Sequence, residues 1–403
     1  MRKRSSSGGG SSSPQSFTFC GGGDIESSCK TPSILKPLEI KTKIKSSLSY
    51  NYSPSPTSDE LSKDMINIKQ FSPDDIIIID KIASGGFAEV FKIQIHSTIY
   101  AGKRMLKSRS QIQRNVDKFA NELVKMNRIF QLGCSRVLKL VGYCFDKENQ
   151  NYWIVTEFIN VGDLYSIIHC KEQTLKSHHY GLERIRNEYS KLIELIHNDM
   201  NVKIKLALDI AKCIDELHSL TRYAHLDVKS LNILVDENLQ IRVGDWCDAK
   251  LVDESREHYL TPFQPHGTIY WMAPEIVKQN VFCQKSDIYA LSIVFTELLI
   301  LGKPYPGLNV LDVKEKLERP IISNPANNNN TDNTNSDNQI NNTDNIPYRM
   351  NIIEILEQKG CDITNQCRNF ISLIEDMWKE DVSERLSSKQ VVERLSNLLE
   401  SDE

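Results

Sequence analysis

The sequence contains no closely paired cysteines, no long apolar run and no strong excess of either charge. Its ten cysteines are scattered singly, without a Cys-x-x-Cys pair or a histidine cluster at zinc spacing. This pattern argues against a disulfide framework and a zinc site, and it predicts reduced thiols in the cytosol or the nucleus. A net charge of −4 and a pI near 6.2 argue against a general nucleic-acid binder.

Signals for secretion and for membrane insertion are also missing. Residues 1–4 are followed by serine and glycine rather than by an apolar run, so no secretory leader is expected. Arg2 excludes N-myristoylation, which requires glycine at that position. The longest apolar stretch, residues 288–302, contains Glu297 and is too short to span a bilayer. It predicts a buried helix.

The folded part of the chain is predicted at residues 75–399. Residues 1–74 are rich in serine, glycine, proline and lysine, which predicts a disordered tail that is either plainly solvated or a docking segment. Residues 322–347 contain an asparagine-rich run, which predicts a surface insertion, either a tolerated loop expansion or a segment active in condensation. Residues 170–201 predict a second insertion, an amphipathic helix that packs on the rest of the fold or on a partner. Its apolar positions recur at steps of three and four: Leu182, Ile185, Tyr189, Leu192 and Ile196.

The first part of the folded region contains a glycine-rich turn, a lysine and a glutamate. An isoleucine-rich strand leads into residues 82–90, which read Ile-Ala-Ser-Gly-Gly-Phe-Ala-Glu-Val, and the two glycines favour a tight hairpin. Lys103 follows Val90 by thirteen residues, and Glu122 follows Lys103 by nineteen, within a helical segment at residues 116–132. Taken singly, a plain hairpin tip and a solvated strand lysine explain these features equally well.

The middle of the folded region predicts a second hairpin and then a long helix. Apolar runs at residues 137–145 and 152–158 are bounded by polar residues, as in two paired strands. Residues 202–220 carry an apolar stripe at helical spacing.

The most informative stretch reads His-Leu-Asp-Val-Lys-Ser-Leu-Asn, from His225 to Asn232. Asp245 lies thirteen residues after Asn232, within Gly-Asp-Trp-Cys, and an Ala-Pro-Glu triplet ends at Glu275. An Asp-x-Lys-x-x-Asn string also arises by chance in loops. Its meaning therefore depends on the motifs found on both sides of it.

In their order and spacing these motifs resemble those of the eukaryotic protein kinases. Residues 137–144 and 267–275 are most similar to the tyrosine-kinase-like group, and the resemblance covers residues 75–399. It implies an α+β, two-lobed protein kinase fold that binds ATP between its lobes. The small β-rich N-lobe is expected at about residues 75–159 and the larger helical C-lobe at about residues 160–399.

By this resemblance, three residues of the catalytic loop carry the chemistry. Asp227 accepts the proton of the substrate hydroxyl, Lys229 neutralises charge on the transferring phosphoryl group, and Asn232 holds a metal ion. Mg²⁺ is expected between Asn232 and Asp245. Lys229 and Thr268 match kinases that phosphorylate serine and threonine.

The resemblance also implies a set of residues around the nucleotide, from the glycine-rich hairpin through the hinge to the floor of the cleft. Thr156 is the gatekeeper beside the adenine, the Glu157 carbonyl and the Ile159 amide bond the base, and Asp163 contacts the ribose. The full set comprises Ile82, Ala83, Ser84, Gly85, Gly86, Phe87, Ala88, Val90, Ala101, Lys103, Glu122, Thr156, Glu157, Ile159, Asp163 and Leu234.

Two ion pairs are implied as well. Lys103, which grips the α- and β-phosphates, is expected to be held by Glu122 from the helix that follows it. Glu275 is expected to pair with Arg385 as a structural anchor of the C-lobe.

Four residues depart from the family pattern. Ala83 and Ala88 stand at the outer glycine positions of the hairpin, Leu226 replaces the arginine of His-Arg-Asp, and Cys247 replaces the glycine of Asp-Phe-Gly. Two functions therefore stay open. One is an active serine/threonine kinase that uses ATP and Mg²⁺ on protein substrates, and the other is a pseudokinase that binds nucleotide as a signalling scaffold. The charged groups that the chemistry requires are all present and favour the first; neither a nucleic-acid partner nor a membrane segment is expected.

Overall fold

The computed structural model describes residues 68–85, 88–105, 112–146, 151–170, 182–252, 259–260, 269–318 and 350–400. The predicted tail up to residue 67, the whole asparagine-rich insertion at residues 322–347 and the tip of the glycine-rich hairpin lie outside these ranges. A short strand at Gln70–Phe71 lies just before the predicted start of the folded region at residue 75. Phe71 in that strand is buried, and the carbonyl of Lys69 accepts a 2.9 Å hydrogen bond from the Tyr143 amide. Two residues of strand leave no readable period in the sequence, so only their pairing reveals them.

The N-lobe is a six-stranded sheet with one long helix packed on it. The sheet order is β1-β5-β6-β4-β3-β2, and every neighbouring pair is antiparallel except β1 with β5. The helix α1 spans Ile112–Gln131 and buries Phe119 against the rings of Tyr143 and Tyr152. The strands are β1 (Gln70–Phe71), β2 (Ile76–Ser84), β3 (Ala88–Ile95), β4 (Thr98–Met105), β5 (Leu140–Asp146) and β6 (Asn151–Glu157).

The far side of the sheet contains its own apolar core. Phe91, Ile93 and Ile95 alternate along β3 and are buried, as expected where one face of a strand is covered. A Cβ added at Gly102 would lie 2.9 Å from the Ile93 side chain and 3.0 Å from the Trp153 ring. Glycine at this position therefore lets the large indole of Trp153 pack directly on β4.

The C-lobe is helical and is organised around two long helices, α5 and α7. The predicted helix at residues 202–220 is confirmed as α5, and the predicted buried helix at residues 288–302 is confirmed as part of α7, which is buried from Ser286 to Ile300. The helices are α2 (Leu164–His169), α3 (Leu182–Glu188), α4 (Ser190–Asn198), α5 (Met200–Thr221), α6 (Pro274–Gln279), α7 (Gln284–Ile300), α8 (Val310–Glu318), α9 (Ile352–Gln358), α10 (Asn365–Met377) and α11 (Ser388–Glu400).

Short strands also occur in the described part of the C-lobe. They are β7 (Gly162–Asp163), β8 (Tyr223–Ala224), β9 (Ile233–Val235), β10 (Ile241–Val243), β11 (Lys250–Leu251), β12 (Tyr259–Leu260) and β13 (Val281–Phe282). β9 lies between β10 and β7, and the loops that leave β8 and β10 carry the predicted catalytic and magnesium residues. None of the helices that the structure describes has the length and hydropathy of a membrane span.

The described part of the insertion, residues 182–198, has two helices, α3 and α4, where the sequence predicted one. The backbone of Tyr189 has φ −120° and ψ 24°, which interrupts the helix between α3 and α4. The apolar side chains of Ile185, Ile193 and Ile196 are nevertheless buried. His197 at the end of α4 is within 3.0 Å of the Ile167 carbonyl of α2, so this insertion packs on the C-lobe.

Candidate active site

The catalytic loop follows β8 and ends in a 3₁₀ turn at Ser230–Asn232. Lys229 Nζ donates to Asp227 Oδ2 at 2.6 Å, and Asn232 Nδ2 donates to the same oxygen at 2.9 Å and to the Asp227 carbonyl at 2.8 Å. The structure thus brings the three predicted catalytic residues into one hydrogen-bonded group. Burial raises the pKa of the Asp227 carboxyl, and the nearby Lys229 opposes that shift.

The backbone of this loop is held by Asp287, a role that the sequence did not predict. Leu226 has φ 63°, a conformation that costs a residue with a Cβ about 1 kcal/mol or more. The buried Asp287 carboxylate accepts the amides of His225 at 2.7 Å and Leu226 at 2.8 Å, and it also contacts His218 at 2.8 Å. The sequence signal for this role was a carboxylate near the start of a largely apolar helix.

Lys103 lies at the centre of a charged cluster across the cleft. Its Nζ is 2.6 Å from Glu122 Oε1 and 3.0 Å from Asp245 Oδ1, so the predicted Lys103–Glu122 pair is confirmed. The pairing follows from the register, because β4 places Lys103 opposite Val90 and Ile154 while α1 carries Glu122 above the sheet.

The charges in this cluster stabilise one another. Burial opposes the ionisation of Lys103, but Asp245 and Glu122 outweigh it and raise the pKa of that amine well above its usual value. Burial likewise opposes the ionisation of Asp245, and the charge of Lys103 overcomes it and holds the pKa of that carboxyl below its usual range. Both groups are therefore charged at neutral pH.

Asp245 and Asn232 fit a magnesium ion by their chemistry. A carboxylate that stays ionised and an amide oxygen are hard ligands of the kind that Mg²⁺ prefers. The amide nitrogen of Asn232 is already used by Asp227, which leaves its oxygen as the metal ligand. The backbone links the two ligands, because the Gly244 amide donates to the Asn232 carbonyl at 2.9 Å.

The glycine-rich hairpin joins β2 to β3. Ala83 pairs with Val90 and Ser84 with Glu89, and the Gly85 amide donates to the Ala88 carbonyl at 2.9 Å. Ser84 and Gly85 are exposed toward solvent while Ile82 is half-buried. The predicted contacts at Gly86 and Phe87 lie outside the described residues.

The hinge follows β6 on the opposite side of the cleft. Ala101 pairs with Thr156, whose side chain is buried and whose hydroxyl donates to the Glu157 carbonyl at 3.2 Å. The Glu157 carboxylate accepts the Lys139 amide at 2.8 Å. Ile159 follows two residues after the strand ends and is half-buried.

Asp163 and Leu234 are direct partners in the pairing of β7 with β9. Both oxygens of the Asp163 carboxylate accept from Ser166, at 2.7 Å from the amide and 2.8 Å from the hydroxyl. Asp163 therefore caps helix α2. The sequence assigned it only a ribose contact and missed this role.

A family model described as "protein tyrosine and serine/threonine kinase" matches residues 76–335. This match covers more than half of the chain and includes all of the site residues described above.

The chain belongs to the protein kinase family.

Two relatives of this chain are named as serine/threonine-protein kinases. The rat serine/threonine-protein kinase TNNI3K is 31% identical over 229 residues, which are 56% of this chain and 24% of the rat protein. The serine/threonine-protein kinase CTR1 of Arabidopsis thaliana is 27% identical over 243 residues, which are 59% of this chain and 26% of that protein. The chain thus spans about a quarter of the length of these curated relatives. Both names agree with the resemblance to the tyrosine-kinase-like, serine/threonine type that the sequence predicted.

The predicted anchor of the kinase C-lobe is confirmed. Arg385 donates to both oxygens of Glu275, at 2.8 Å and 3.1 Å, and Ser286 Oγ donates to Glu275 at 2.7 Å. All three side chains are buried. Such a bidentate, fully paired arrangement fixes the end of the activation segment to helix α7.

The magnesium loop of this kinase contains the two unusual residues Trp246 and Cys247. Trp246 is fully buried and its ring centroid lies 4.5 Å from that of His225. Its indole nitrogen has no hydrogen-bond partner within the part of the chain that the structure describes. The Cys247 Sγ lies 3.0 Å from Glu122 Oε2, a contact that the sequence did not predict. Burial and the charge of Glu122 raise the pKa of that thiol, which keeps it in its hydrogen-donating form.

Proposed function

We propose that this protein is a serine/threonine protein kinase that transfers the γ-phosphate of ATP to serine and threonine hydroxyls of protein substrates. One observation carries the proposal. The Lys103–Glu122 pair is formed and touches Asp245, while Asp227 is hydrogen-bonded to both Lys229 and Asn232. These are the charged and amide groups that phosphoryl transfer requires, held in two bonded groups within one site.

Each of these residues has its own role in the transfer, which follows from its position in the site. Asp227 accepts the proton of the attacking hydroxyl, and its raised pKa makes it a stronger base than an exposed aspartate. Lys229, bound to the same carboxylate, neutralises the charge that develops on the transferring group. Lys103 holds the α- and β-phosphates, and Glu122 fixes the direction of its ammonium.

Protein kinases as a family use ATP and Mg²⁺. In this chain Asp245 and Asn232 would hold the metal, which supplies charge neutralisation at the β- and γ-phosphates when bound. The nucleotide itself would lie between the glycine-rich hairpin and the β7–β9 floor, with its base at the hinge.

A scaffold without catalysis is not favoured. The departures at Ala83, Ala88 and Leu226 change loop shape and regulation, and none of them removes a group that handles charge in the reaction. The relatives named above carry the words "serine/threonine-protein kinase" in their names, which supports the same conclusion.

The substrate class and the cellular location of the protein are part of the same proposal. Protein substrates with serine or threonine acceptors fit Lys229, which follows Asp227 by two residues. The cytosol or the nucleus fits the singly scattered cysteines of the sequence, which contains no Cys-x-x-Cys pair.

The test is a transfer assay with purified protein, labelled ATP, Mg²⁺ and a generic basic protein substrate, followed by phosphoamino-acid analysis. Wild-type protein should label serine and threonine, and Asp227→Ala should not. Asp362→Ala, which changes an exposed aspartate of the C-lobe, is the matched control and should behave as wild type. Wild-type labelling no higher than that of Asp227→Ala would overturn the proposal.

A further inference from the structure

Cys247 lies in the magnesium loop, two residues after Asp245, and its side chain is directed at the N-lobe. The thiol Sγ is 3.0 Å from Glu122 Oε2 and 3.9 Å from Lys103 Nζ. The family has glycine at this position and so has no side chain to make these contacts. The thiol contacts are thus a feature of this chain rather than of the general site.

The two oxygens of the Glu122 carboxylate have different partners. Oε1 accepts from Lys103 at 2.6 Å, and Oε2 accepts from Cys247 at 3.0 Å. Glu122 is buried, with 2% of its surface exposed, so water cannot easily substitute for either donor. With both oxygens bound, rotation of the carboxylate would break a hydrogen bond in a poorly solvated place.

A second contact joins the same two elements. Lys125 Nζ donates to the backbone carbonyl of Cys247 at 2.8 Å. Lys125 lies three residues after Glu122, and positions with this spacing share one face of a helix. Helix α1 therefore holds Cys247 by its side chain and by its carbonyl at once.

We propose that Cys247 is a positioning residue for phosphoryl transfer, which fixes the Glu122 carboxylate and thereby aims Lys103 at the nucleotide phosphates. The inference rests on the proposed kinase function for its kinetic consequence. The contacts of Cys247 also have a structural consequence that does not depend on catalysis. An outward movement of helix α1 would break three contacts at once: Lys103–Glu122, Cys247–Glu122 and Lys125–Cys247. These contacts therefore couple the position of the helix to that of the magnesium loop.

The experiment compares Cys247→Ala, Cys247→Ser and Cys247→Gly with wild type in steady-state kinetics with varied ATP. Cys247→Ala and Cys247→Gly should lower kcat/KM for ATP by about fivefold, as expected for the loss of one hydrogen bond from a thiol, which is a weak donor. Cys247→Ser keeps a donor and should stay within about twofold of wild type. Cys361→Ala, at an exposed thiol in the loop between α9 and α10, is the matched control and should change nothing.

A binding measurement separates this inference from the proposed function. The dissociation constant of magnesium with a non-hydrolysable ATP analogue, and the hydrogen exchange of the α1 amides, should change in the Ala and Gly variants and recover in the Ser variant. If wild type binds the analogue and shows this pattern but transfers no phosphate, the proposed function fails and the positioning role stands. Equal behaviour of Cys247→Ser and Cys247→Ala, or wild-type behaviour of Cys247→Ala, would overturn the positioning role.

Discussion

The catalytic loop and the magnesium loop lie side by side in the cleft but are held in different ways. The catalytic loop is held from below by Asp287, a buried carboxylate of the C-lobe helix α7 that accepts two of its amides. The magnesium loop is held from above by Lys103, Glu122 and Lys125, which all belong to the N-lobe. One loop thus depends on the core of its own lobe, whereas the other depends on how the two lobes meet.

This difference relates to where the sequence departs from the family. Asp227, Lys229 and Asn232 carry the reaction's charges, and their loop follows the family pattern except at Leu226. The magnesium loop keeps Asp245 but replaces the two residues after it with Trp246 and Cys247. Cys247 therefore gives this loop a contact with Glu122 that a glycine cannot make.

The largest effect is expected where the two loops do the same thing, which is to hold charge at the transition state. Replacement of Asp227 by alanine should reduce kcat by about 10²–10⁴-fold, the range for loss of a general base. Replacement of Lys103 or Asp245 should also cost orders of magnitude, and the losses should not add, because the groups act together. Kinetics of the single and double alanine variants measure this.

A wild-type rate for Asp227→Ala would show that the catalytic assignment is wrong. Additive losses would show that these charged groups act independently. The contact between Lys103 and Asp245 would then not be a functional link.

The next largest effect is expected on the free energy of unfolding, and it should differ between the two loops. Asp287→Ala leaves the buried amides of His225 and Leu226 without their acceptor and should lower the free energy of unfolding by about 3 kcal/mol. Lys125→Met removes a half-buried contact between lobes and should lower it by less than about 1 kcal/mol while still reducing activity. Chemical denaturation followed by circular dichroism measures both, with Asp362→Ala as the exposed control. Similar losses for the two variants would mean that both loops are held equally.

The sequence predicted the residues that carry charge and missed several that hold them in place. Lys103 with Glu122 and Glu275 with Arg385 were predictable, since a motif marks each partner. The contact of Cys247 with Glu122 spans 125 residues of sequence and follows no local period, so only the folded chain reveals it. Asp163 was missed for a different reason: its capping contact with Ser166 is local, but the helix that follows has only six residues and leaves little periodic signal.

Fold elements followed the same rule. Long periodic segments such as α5 and α7 were predicted because one repeating pattern covers many residues. The two-residue strand β1 was missed because its stability comes from pairing with β5 and from the burial of Phe71 rather than from local propensity. The break at Tyr189 was missed because the apolar spacing continues through it.

A smaller effect is expected on the conformation of the magnesium loop. In the structure Asp245 has φ 60°, whereas Trp246 and Cys247 are not among the residues with positive φ. A flipped loop that requires positive φ at Cys247 would cost about 1 kcal/mol or more, and the buried Trp246 ring would have to leave His225. Trp246→Phe combined with Cys247→Gly should therefore improve the binding of inhibitors that need the flipped loop by about fivefold or more.

An inhibitor that occupies the adenine site without a flip is the control and should bind both proteins alike. If wild type and the double variant bind the flip-dependent compound equally well, the loop is not locked by these residues. Calorimetry or competition binding gives both constants.

The smallest effect is expected from dephosphorylation. Many kinases pair the arginine of His-Arg-Asp with a phosphate on the activation segment, but here Leu226 provides no cation. Leu226 instead lines a small cavity together with Trp271 and Met272. A phosphate on Ser255, Tyr259 or Thr261, in a segment that lies largely outside the described residues, would therefore lack this partner, and phosphatase treatment should change activity by less than about twofold.

Leu226→Arg sharpens this last prediction, because it restores the missing cation at a backbone position that already has φ 63°. Asp287 binds the backbone amide of residue 226 rather than its side chain, so the substitution leaves that support intact. The variant should therefore gain a dependence on phosphate that wild type lacks, seen as a loss of activity on phosphatase treatment that rephosphorylation reverses. A loss of about tenfold or more in wild type itself would show that another cation orders the segment, and the catalytic loop would then depend on its surroundings as much as the magnesium loop does.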